Sequence, residues 1–398
     1  MARADVCPPD TMTANTRNCG QSNHVVRTAA GVWYFFYTSG TDADFYYIKS
    51  SNYGLTWGVP VLIKGSLTGI GVACWFDKWT PADTGTLIHL AYMDSTNHDV
   101  FYRTIDTGAS DTLGTEITVF AGASFSAGAN TCLSVTKSEA GRILVGFDGD
   151  GGTETGFYKS DDYPPTAFTA KADVNEAGGT DYYQLFPGNE TDTADIYALY
   201  WDRSAGELTL KTYDDSGDSW AESAAIATGL TSIASSTISP QFTGAVRNSD
   251  GHLLAAWWTN SDNANADLMF VDITSAASIG TPVKIFDSTD DQGGVALTVD
   301  TTADDLYVFY LGKTDGTETA YTAVNVYYRI STDDGATWGS ETALSSVARA
   351  ITYLTAPLET ASADFTALYW GVVGGGTIWH TSAFYADAGG GGNRVYGS

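Results

Sequence analysis

The chain has 398 residues, of which 43% are hydrophobic and 13% aromatic, a composition that excludes a disordered chain and supports a large buried core. Acidic residues outnumber basic residues by 47 to 19, a formal net charge of −28, so we expect no nucleic-acid partner, because such a partner requires a basic surface. No apolar run approaches the ~20 residues that cross a bilayer, so we also expect no membrane insertion.

The first segment, residues 1–21, shows no basic start followed by an apolar run, and the sequence therefore indicates no signal peptide. Two of the four cysteines, Cys7 and Cys19, bracket a short loop in this segment that a disulfide could close. Cys74 and Cys132 fall inside apolar strands. We interpret them as buried free thiols, with a bridge between them as the open alternative.

From residue 22 to residue 386 the chain repeats an aromatic-rich strand at intervals of roughly 50–60 residues. The copies lie at Asp44–Ser51, Asp99–Asp106, Thr155–Asp162, Glu207–Asp214, Ala266–Ile273, Asn325–Thr332 and Thr377–Phe384. A more hydrophobic strand with period-two alternation precedes the aromatic strand, and a short outer strand follows it. The repeating unit is therefore four antiparallel strands.

This repeat predicts an all-β fold, a β-propeller of seven four-stranded blades in residues 22–386, with six blades as the alternative. The last unit has no obvious fourth strand, and a ring must close without an unpaired edge. Residues 1–21 are therefore expected to supply a strand that closes the ring. The Gly-rich residues 387–398 are expected to form a flexible tail.

The turn after the aromatic strand carries the most specific motif of the chain, S-x-D-x-G-x-T-W. One copy matches at every fixed position, a second has Asn for Asp, a third keeps the Asp, Gly and Trp, and two are weaker. In such a turn the Asp accepts backbone N–H bonds, the Gly supplies a positive φ, and the Trp covers the seam between strands. The motif residues are Ser50, Asn52, Gly54, Trp57, Asp106, Asp162, Asp215, Gly217, Trp220, Ser331, Asp333, Gly335, Thr337 and Trp338.

These turns are similar to the Asp box of the bacterial neuraminidase repeat. The chain resembles the sialidase-like Asp-box β-propeller superfamily over essentially its whole length. The resemblance implies that the boxes lie on the outer rim, away from any active site, and serve folding. The low lysine content, the Thr/Gly/Asp-rich turns and the Gly-rich tail further resemble phage-borne propellers.

Sialidases of that superfamily hold a substrate carboxylate with three arginines and attack with a tyrosine. The R-I-P stretch that carries their first arginine is missing here, so we assign no catalytic residue. The candidates for ligand binding are Arg27, Arg247, Arg349 and Tyr353, and Trp79 is expected to expose an aromatic face to a sugar ring. For Tyr353 the alternative is a half-buried strand residue.

A Gly-rich loop offers Asp148, Asp150 and Glu154 in an oxygen-rich pattern that suits Ca²⁺. The alternative is a solvated turn, because the loop lacks the twelve-residue pattern that ends in Glu. No other cofactor is expected, since the chain has no CxxC pair and no closely spaced pair of histidines.

The sequence therefore favours a non-catalytic recognition or structural propeller at a virion or extracellular surface, where it binds a glycan or a partner protein. An Asp-box propeller without an export signal fits a phage tail or capsid-associated adhesin that is released by lysis. The alternatives left open are a glycoside hydrolase of exo-sialidase type and an intracellular protein-interaction scaffold.

Overall fold

The computed structural model shows an all-β propeller and confirms the predicted fold class. It describes residues 22–39, 42–52, 56–65, 69–94, 96–122, 132–148, 155–174, 181–188, 196–230, 241–259, 267–286, 292–312, 325–344, 353–361, 366–370, 379–385 and 394–396, the last three ranges by their backbone alone. Within these ranges the strands form seven sheets, and the helical content is one 3₁₀ turn at Asp77–Trp79.

We number the sheets and the strands in chain order. Sheet 1 contains β1 (Val25–Arg27), β2 (Trp33–Thr38), β3 (Phe45–Ser50) and β4 (Val61–Lys64). Sheet 2 contains β5 (Gly69–Phe76), β6 (Leu87–Asp94), β7 (Asp99–Asp106), β8 (Thr112–Leu113) and β9 (Ile117–Ala121). Sheet 3 contains β10 (Cys132–Lys137), β11 (Ile143–Asp148), β12 (Thr155–Ser160) and β13 (Phe168–Lys171). Sheet 4 contains β14 (Tyr182–Pro187), β15 (Ile196–Asp202), β16 (Glu207–Asp214) and β17 (Ser219–Glu222).

The remaining sheets follow the same order. Sheet 5 contains β18 (Phe242–Val246), β19 (Leu253–Thr259), β20 (Asp267–Ser275), β21 (Ser278–Ile279) and β22 (Val283–Phe286). Sheet 6 contains β23 (Gln292–Asp300), β24 (Leu306–Gly312), β25 (Asn325–Ser331), β26 (Thr342–Ala343) and β28 (Glu359–Thr360). Sheet 7 contains β27 (Tyr353–Thr355), β29 (Thr366–Trp370), β30 (Trp379–Tyr385) and β31 (Arg394–Tyr396).

In sheets 1 to 6, burial decreases from the first long strand to the outer strand. In sheet 1 every residue of β1 and β2 is buried, whereas β4 exposes Val61 and Leu62. The aromatic third strand mixes buried and half-buried positions. The first strands therefore lie at the centre of the ring and the last strands at its rim, which is the order that the hydrophobic patterns predict.

Successive strands of a sheet are antiparallel, so the turns after the first and third strands emerge on the same face of the ring. We call it the lower face; residues 28–32, 138–142 and 332–338 form three of its turns. The turns after the second strands, and the links between sheets, emerge on the opposite face. The motif turns thus lie on the lower face, toward the rim.

Polar groups join the first strands across the centre of the ring. Gln184 of sheet 4 donates from Nε2 to Asn23 Oδ1, next to sheet 1, at 3.0 Å, and its Oε1 accepts from Gly244 N of sheet 5 at 3.0 Å. The Asn23 carbonyl accepts from Cys74 N of sheet 2 at 2.9 Å. These buried bonds tie four of the sheets together near the axis and satisfy polar groups that burial would otherwise penalise.

The first and last sheets meet where the rings of His24 and Tyr353 lie 5.6 Å apart. The outer strand of sheet 7 is β31, which pairs antiparallel with β30 and lies in the stretch for which a flexible tail is predicted. Its Arg-Val-Tyr sequence has the β-branched and aromatic residues that favour an extended strand. Residues 1–21 lie outside the described part of the chain, and closure by an N-terminal strand stays a prediction.

A short strand lies at the inner edge of sheet 6. After β27 the chain turns and runs parallel to β23 as β28, with Val299 opposite Glu359. Val299 N donates to the Leu358 carbonyl, and Thr301 N donates to the Thr360 carbonyl, at 2.9 Å each. This pairing brings Glu359 to the lower face near the axis.

Cys74 and Cys132 are free and buried, which confirms their interpretation as buried thiols. Cys7 and Cys19 lie outside the described residues. In the ranges that the structure describes, no helix is long and apolar enough to cross a membrane.

Candidate functional site

The motif turn of sheet 6 is closed by its own side chains. Ser331 Oγ donates to Asp333 Oδ1 at 2.8 Å and accepts from Gly335 N at 2.9 Å. Asp333 accepts from Thr337 N at 2.8 Å and from Thr337 Oγ1 at 2.5 Å. These bonds lower the pKa of the Asp333 carboxyl. The motif therefore specifies this turn locally.

Two further residues of this turn contact sheet 5. Gly335 has a φ of +84°, and a Cβ placed there would overlap the Phe270 ring. The Trp338 ring packs edge-on against Phe270 with 5.4 Å between centroids. Among the described residues, Trp338 Nε1 has no hydrogen-bond partner. The tryptophan therefore contributes packing between sheets 5 and 6.

The motif turn of sheet 1 has similar hydrogen bonds. Asn52 Oδ1 accepts from Ser50 Oγ at 3.0 Å and from Thr56 N at 2.9 Å, and Asn52 Nδ2 donates to Thr56 Oγ1 at 2.9 Å. Trp57 is half-buried against the core. Gly54 lies outside the described residues. Asn can thus replace Asp here because its amide oxygen accepts the same backbone bond.

The turn of sheet 4 departs from the motif by one residue. Asp214, and not the predicted Asp215, accepts from Ser216 N at 2.9 Å and from Ser216 Oγ at 2.7 Å. Tyr213 stands where the other turns have serine or threonine, so this position has no short hydroxyl group that could bond to Asp215. Asp215 forms an ion pair with Lys159 of sheet 3 instead.

The other two predicted residues of the sheet 4 turn keep packing roles. Trp220 donates its indole N–H to the Ala172 carbonyl of sheet 3 at 2.9 Å, so the predicted indole bond is made in this copy. Gly217 is tightly placed, because a Cβ there would lie 3.0 Å from a carboxylate oxygen of Asp214. This turn therefore also joins two neighbouring sheets.

The two weaker copies differ from each other. Asp106 Oδ1 accepts from Gly108 N at 2.9 Å, as the motif predicts. In sheet 3, however, Asp161 and not Asp162 closes the turn and accepts from Thr166 N at 3.0 Å. Two prolines replace the glycine of the motif, and because proline has no N–H group the turn finds its backbone donors further along the chain.

The residues predicted to bind a ligand are dispersed. Trp79 was expected to be exposed, but the 3₁₀ turn directs it inward and it is 1% exposed. Arg247 is buried and forms ion pairs with three aspartates of sheets 5 and 6. Tyr353 is buried where the first and last sheets meet. Arg349 lies outside the described residues, and Arg27 lines a cavity described below.

The predicted calcium loop is described at one of its three positions. Asp148 is buried at the end of β11, whereas Asp150 and Glu154 lie outside the described ranges. Across those ranges, no group of three or more His, Cys, Asp or Glu residues could hold a metal ion. Calcium binding at this loop stays a prediction.

A cavity of about 460 Å³ opens on the lower face, between turns of sheets 1, 2, 5 and 6 and the β28 segment. Its charged lining residues are Arg27, Lys78, Asp83 and Glu359. Asn248 and three threonines add uncharged polar groups, and the buried Phe76 also belongs to the lining. A concave site with a few convergent polar groups is typical of small-molecule and oligosaccharide binding.

Asn248 connects three parts of this wall. Its Nδ2 donates to the Lys78 carbonyl of sheet 2 at 2.7 Å and also to Glu359 Oε1 of the β28 segment. Asn248 itself follows the first strand of sheet 5. Loops that are far apart in the ring are therefore held together at the cavity.

The cavity wall carries positive charge at neutral pH. Burial raises the pKa of Glu359 to about 8, although Lys78 and Arg27 partly oppose this shift, so the carboxyl is mainly protonated at neutral pH. The Asp83 carboxylate lies 2.6 Å from Lys137 Nζ. In the described part of the chain, Lys78 has no acidic partner within 4 Å. Lys78 is therefore a cation of the cavity wall without an acidic neighbour among the described residues, and Arg27 adds a second cation to the lining.

Sequence reasoning identified Arg27 but missed Lys78, Asn248 and Glu359. These residues are separated by more than a hundred positions and belong to no motif. Lys78 lies beside the tryptophan that the sequence favoured, in the same loop. The sequence thus pointed to the correct loop, but it favoured Trp79 where the structure places Lys78 in the cavity wall.

No family model and no curated protein matches the chain. Among solved structures, a polysaccharide lyase, an ulvan lyase bound to -[GlcA(1-4)Rha3S]-, is similar with a TM-score of 0.57 and 11% identity over 97% of this chain and 95% of that chain. The Aleuria aurantia lectin has a TM-score of 0.49 and 13% identity over 89% of this chain and 99% of that chain. A Hadza microbial sialidase has a TM-score of 0.47 and 13% identity over 78% of this chain and 65% of that chain.

At 11% identity the likeness to the lyase concerns the fold alone, and the two lower scores carry no argument. The chain is thus a β-propeller whose overall fold is similar to that of the lyase over nearly the full length of both chains.

Proposed function

We propose that this propeller recognises an acidic glycan at the lower-face cavity. The observation that carries the proposal is the pair of cations, Arg27 and Lys78, on the wall of a cavity in a chain of net charge −28. A guanidinium and an ammonium group are the usual partners of a carboxylate or a sulfate. A uronate or sulfate group on a sugar would meet both.

The other lining groups suit a sugar. The exposed threonines Thr84 and Thr301 offer hydroxyl groups that can exchange hydrogen bonds with ring hydroxyls. The ulvan lyase of similar fold is bound to a glycan with both a uronate and a sulfate, which supports the choice of ligand class.

A glycan array tests the ligand class directly. The panel should contain uronate-bearing, sulfated and sialylated oligosaccharides, the -[GlcA(1-4)Rha3S]- repeat, and neutral glycans of equal length. We expect binding to acidic members that weakens as salt is raised from 0.05 to 0.5 M, about the range over which screening becomes strong. Binding to neutral glycans alone would contradict the proposal.

A second candidate function is cleavage of the bound glycan. Glu359 favours it, because a carboxyl that stays protonated at neutral pH beside the cavity can donate a proton to a leaving group. Incubation of the protein with the acidic panel, followed by mass spectrometry of the products, tests for hydrolysis or elimination. A fluorogenic sialoside assayed from about pH 4 to pH 8 tests sialidase chemistry separately.

We further propose that this recognition takes place at a virion or cell surface, as an adhesin. The support is the low lysine content, the Thr/Gly/Asp-rich turns and the Gly-rich tail, which resemble those of phage-borne propellers. Capsid or tail genes next to the gene for this chain, or the protein itself in purified particles, would support the role. A gene neighbourhood of metabolic enzymes would contradict it.

A further inference from the structure

A buried charged cluster lies between sheets 2 and 3, directly behind the cavity wall. The side chains of Asp77 and Lys137 are 1% and 5% exposed, and His89 is fully buried. Lys137 Nζ lies 2.6 Å from Asp77 Oδ1 and 2.6 Å from Asp83 Oδ2. The same ammonium group lies over the Tyr163 ring at 3.8 Å. One lysine from sheet 3 thus holds two carboxylates of sheet 2.

The two carboxylates bracket one loop, residues 77–85, which follows the first strand of sheet 2. Asp77 Oδ2 accepts from Leu87 N at 2.8 Å, and Asp83 Oδ1 accepts from Gly85 N at 2.8 Å. In the middle of the loop, Thr80 Oγ1 donates to the Lys137 carbonyl at 2.9 Å. Lys137 therefore contacts the beginning, the middle and the end of this loop.

The loop supplies four residues of the cavity, namely Lys78, Ala82, Asp83 and Thr84. Lys137 does not line the cavity. Without the ammonium group, two buried or half-buried carboxylates would lose their shared partner, and their mutual repulsion would push the two ends of the loop apart.

The hydrogen bonds around Asp77 give the cluster a fixed charge state. Burial opposes ionisation of Asp77, but bonds from His89 Nε2 at 2.9 Å and from Lys137 outweigh it and lower the pKa of the carboxyl. Burial likewise opposes the charge of Lys137, and the two aspartates outweigh it and raise the pKa of the ammonium group. The ion pair is therefore formed across the whole neutral range.

We propose that Lys137 is a positioning residue for glycan recognition: through Asp77 and Asp83 it fixes the loop 77–85 and so places Lys78 in the cavity wall. The inference rests on the proposed function for its ligand, but its structural part can be tested without any ligand. A residue that only stabilised the fold would lower the melting temperature without changing the cavity.

Lys211 is a matched control. It is also 5% exposed, lies over a tyrosine ring at 3.5 Å and sits 3.9 Å from a glutamate, but it belongs to sheet 4 and does not line the cavity or contact the loop. Lys137→Met and Lys211→Met remove the same group from comparable surroundings. Lys137→Gln is a milder variant that keeps a hydrogen-bonding NH₂ group, for the case in which Lys137→Met does not fold.

The first measurement is amide hydrogen exchange on the whole protein. The Gly85 and Leu87 amides report on the loop, because they donate to the two carboxylates that Lys137 holds. We expect their exchange to become about tenfold faster in Lys137→Met, less so in Lys137→Gln, and to stay within about twofold in Lys211→Met. Unchanged exchange in both Lys137 variants would overturn the inference.

The second measurement is the affinity for an oligosaccharide of -[GlcA(1-4)Rha3S]- repeats, well below the melting temperature of each variant. We expect about tenfold weaker binding by Lys137→Met and wild-type binding by Lys211→Met. Faster loop exchange with wild-type affinity would reduce Lys137 to a structural residue and overturn its positioning role. If the wild-type protein binds no acidic glycan, the proposed function fails, and the exchange data still decide whether Lys137 fixes the loop.

Discussion

The turn at residues 331–338 and the loop at residues 77–85 lie on the same face of the propeller and are both held by aspartates. In the turn, Asp333 bonds to residues two and four positions away. In the loop, Asp77 and Asp83 are held by Lys137, more than fifty positions further along the chain. The turn at residues 331–338 is therefore fixed by local hydrogen bonds, whereas the loop at residues 77–85 is fixed by a residue of the neighbouring sheet.

This difference has a consequence for function. A turn whose hydrogen bonds are all local can form in different surroundings, which suits a structural element that is repeated in several sheets. A loop that depends on a neighbour is fixed only when the ring is assembled, and it is the loop that lines the cavity. Substitutions in the turn and in the loop should therefore differ in their effects on stability and on glycan binding.

The largest effect is expected for Asp77→Asn. This change removes the carboxylate from a buried pair, but Lys137 keeps Asp83 as a partner, so the free energy of unfolding should fall by about 3 kcal/mol, the lower end of the cost of breaking a buried pair. Urea denaturation monitored by tryptophan fluorescence measures it. A loss as small as that of an exposed aspartate would show that the cluster contributes little to joining the sheets.

Gly335→Ala should have the next largest effect, about 1–3 kcal/mol, because the residue has a φ of +84° and its Cβ would overlap the Phe270 ring. Gly141, with a φ of +81° and no atom near its Cβ, is a matched control in which the backbone conformation alone opposes alanine. Equal losses for the two alanine variants would show that Phe270 moves aside freely.

Asp333→Ala should lower the melting temperature less than Gly335→Ala, because it removes bonds within an exposed turn. Glycan affinity should not change, since the turn does not line the cavity. Differential scanning calorimetry and titration on the same sample test both statements. Unchanged melting together with lost binding would assign the turn a functional role.

The smallest effect concerns pH. The pKa of Glu359 is raised to about 8 in the folded state, so the native protein holds a proton that the unfolded chain releases near its ordinary value of 4.5. The contribution of this group to stability therefore falls as pH rises from about 4.5 to 8 and is constant outside that window.

Glu359→Gln should remove this slope and stabilise the protein at pH 8 by about 1 kcal/mol, a value reduced because the residue is partly exposed. Unfolding free energies of the two proteins at a series of pH values provide the measurement. Parallel curves for the wild type and the variant would show that Glu359 ionises as an exposed carboxyl does.

The sequence predicted what depends on neighbours along the chain. The β-propeller class, the strand order and the bonds of Asn52, Asp106 and Asp333 all follow from periodicity or from a short motif. It failed where one substitution altered the local chemistry, as when Tyr213 replaced serine and Asp214 took the place of Asp215.

The cavity lay beyond sequence reasoning for a different reason. Arg27, Lys78, Asn248 and Glu359 meet only because the ring brings distant loops together, and no spacing relates them. Trp79 shows the same limit, because the residue expected to be exposed is buried while its neighbour Lys78 faces the cavity.

We propose above all that Lys78 in the lower-face cavity binds the acidic group of a glycan. The most direct test is calorimetric titration with the -[GlcA(1-4)Rha3S]- oligosaccharide at low salt. The proteins to compare are the wild type, Lys78→Gln and Lys49→Gln. Lys49 is a half-buried lysine of sheet 1 that pairs with Asp111 and does not line the cavity. We predict that Lys78→Gln binds about tenfold more weakly, the loss of one charge-assisted bond, and that Lys49→Gln binds as the wild type does. Equal affinities for all three proteins, or no binding by the wild type, would contradict the claim.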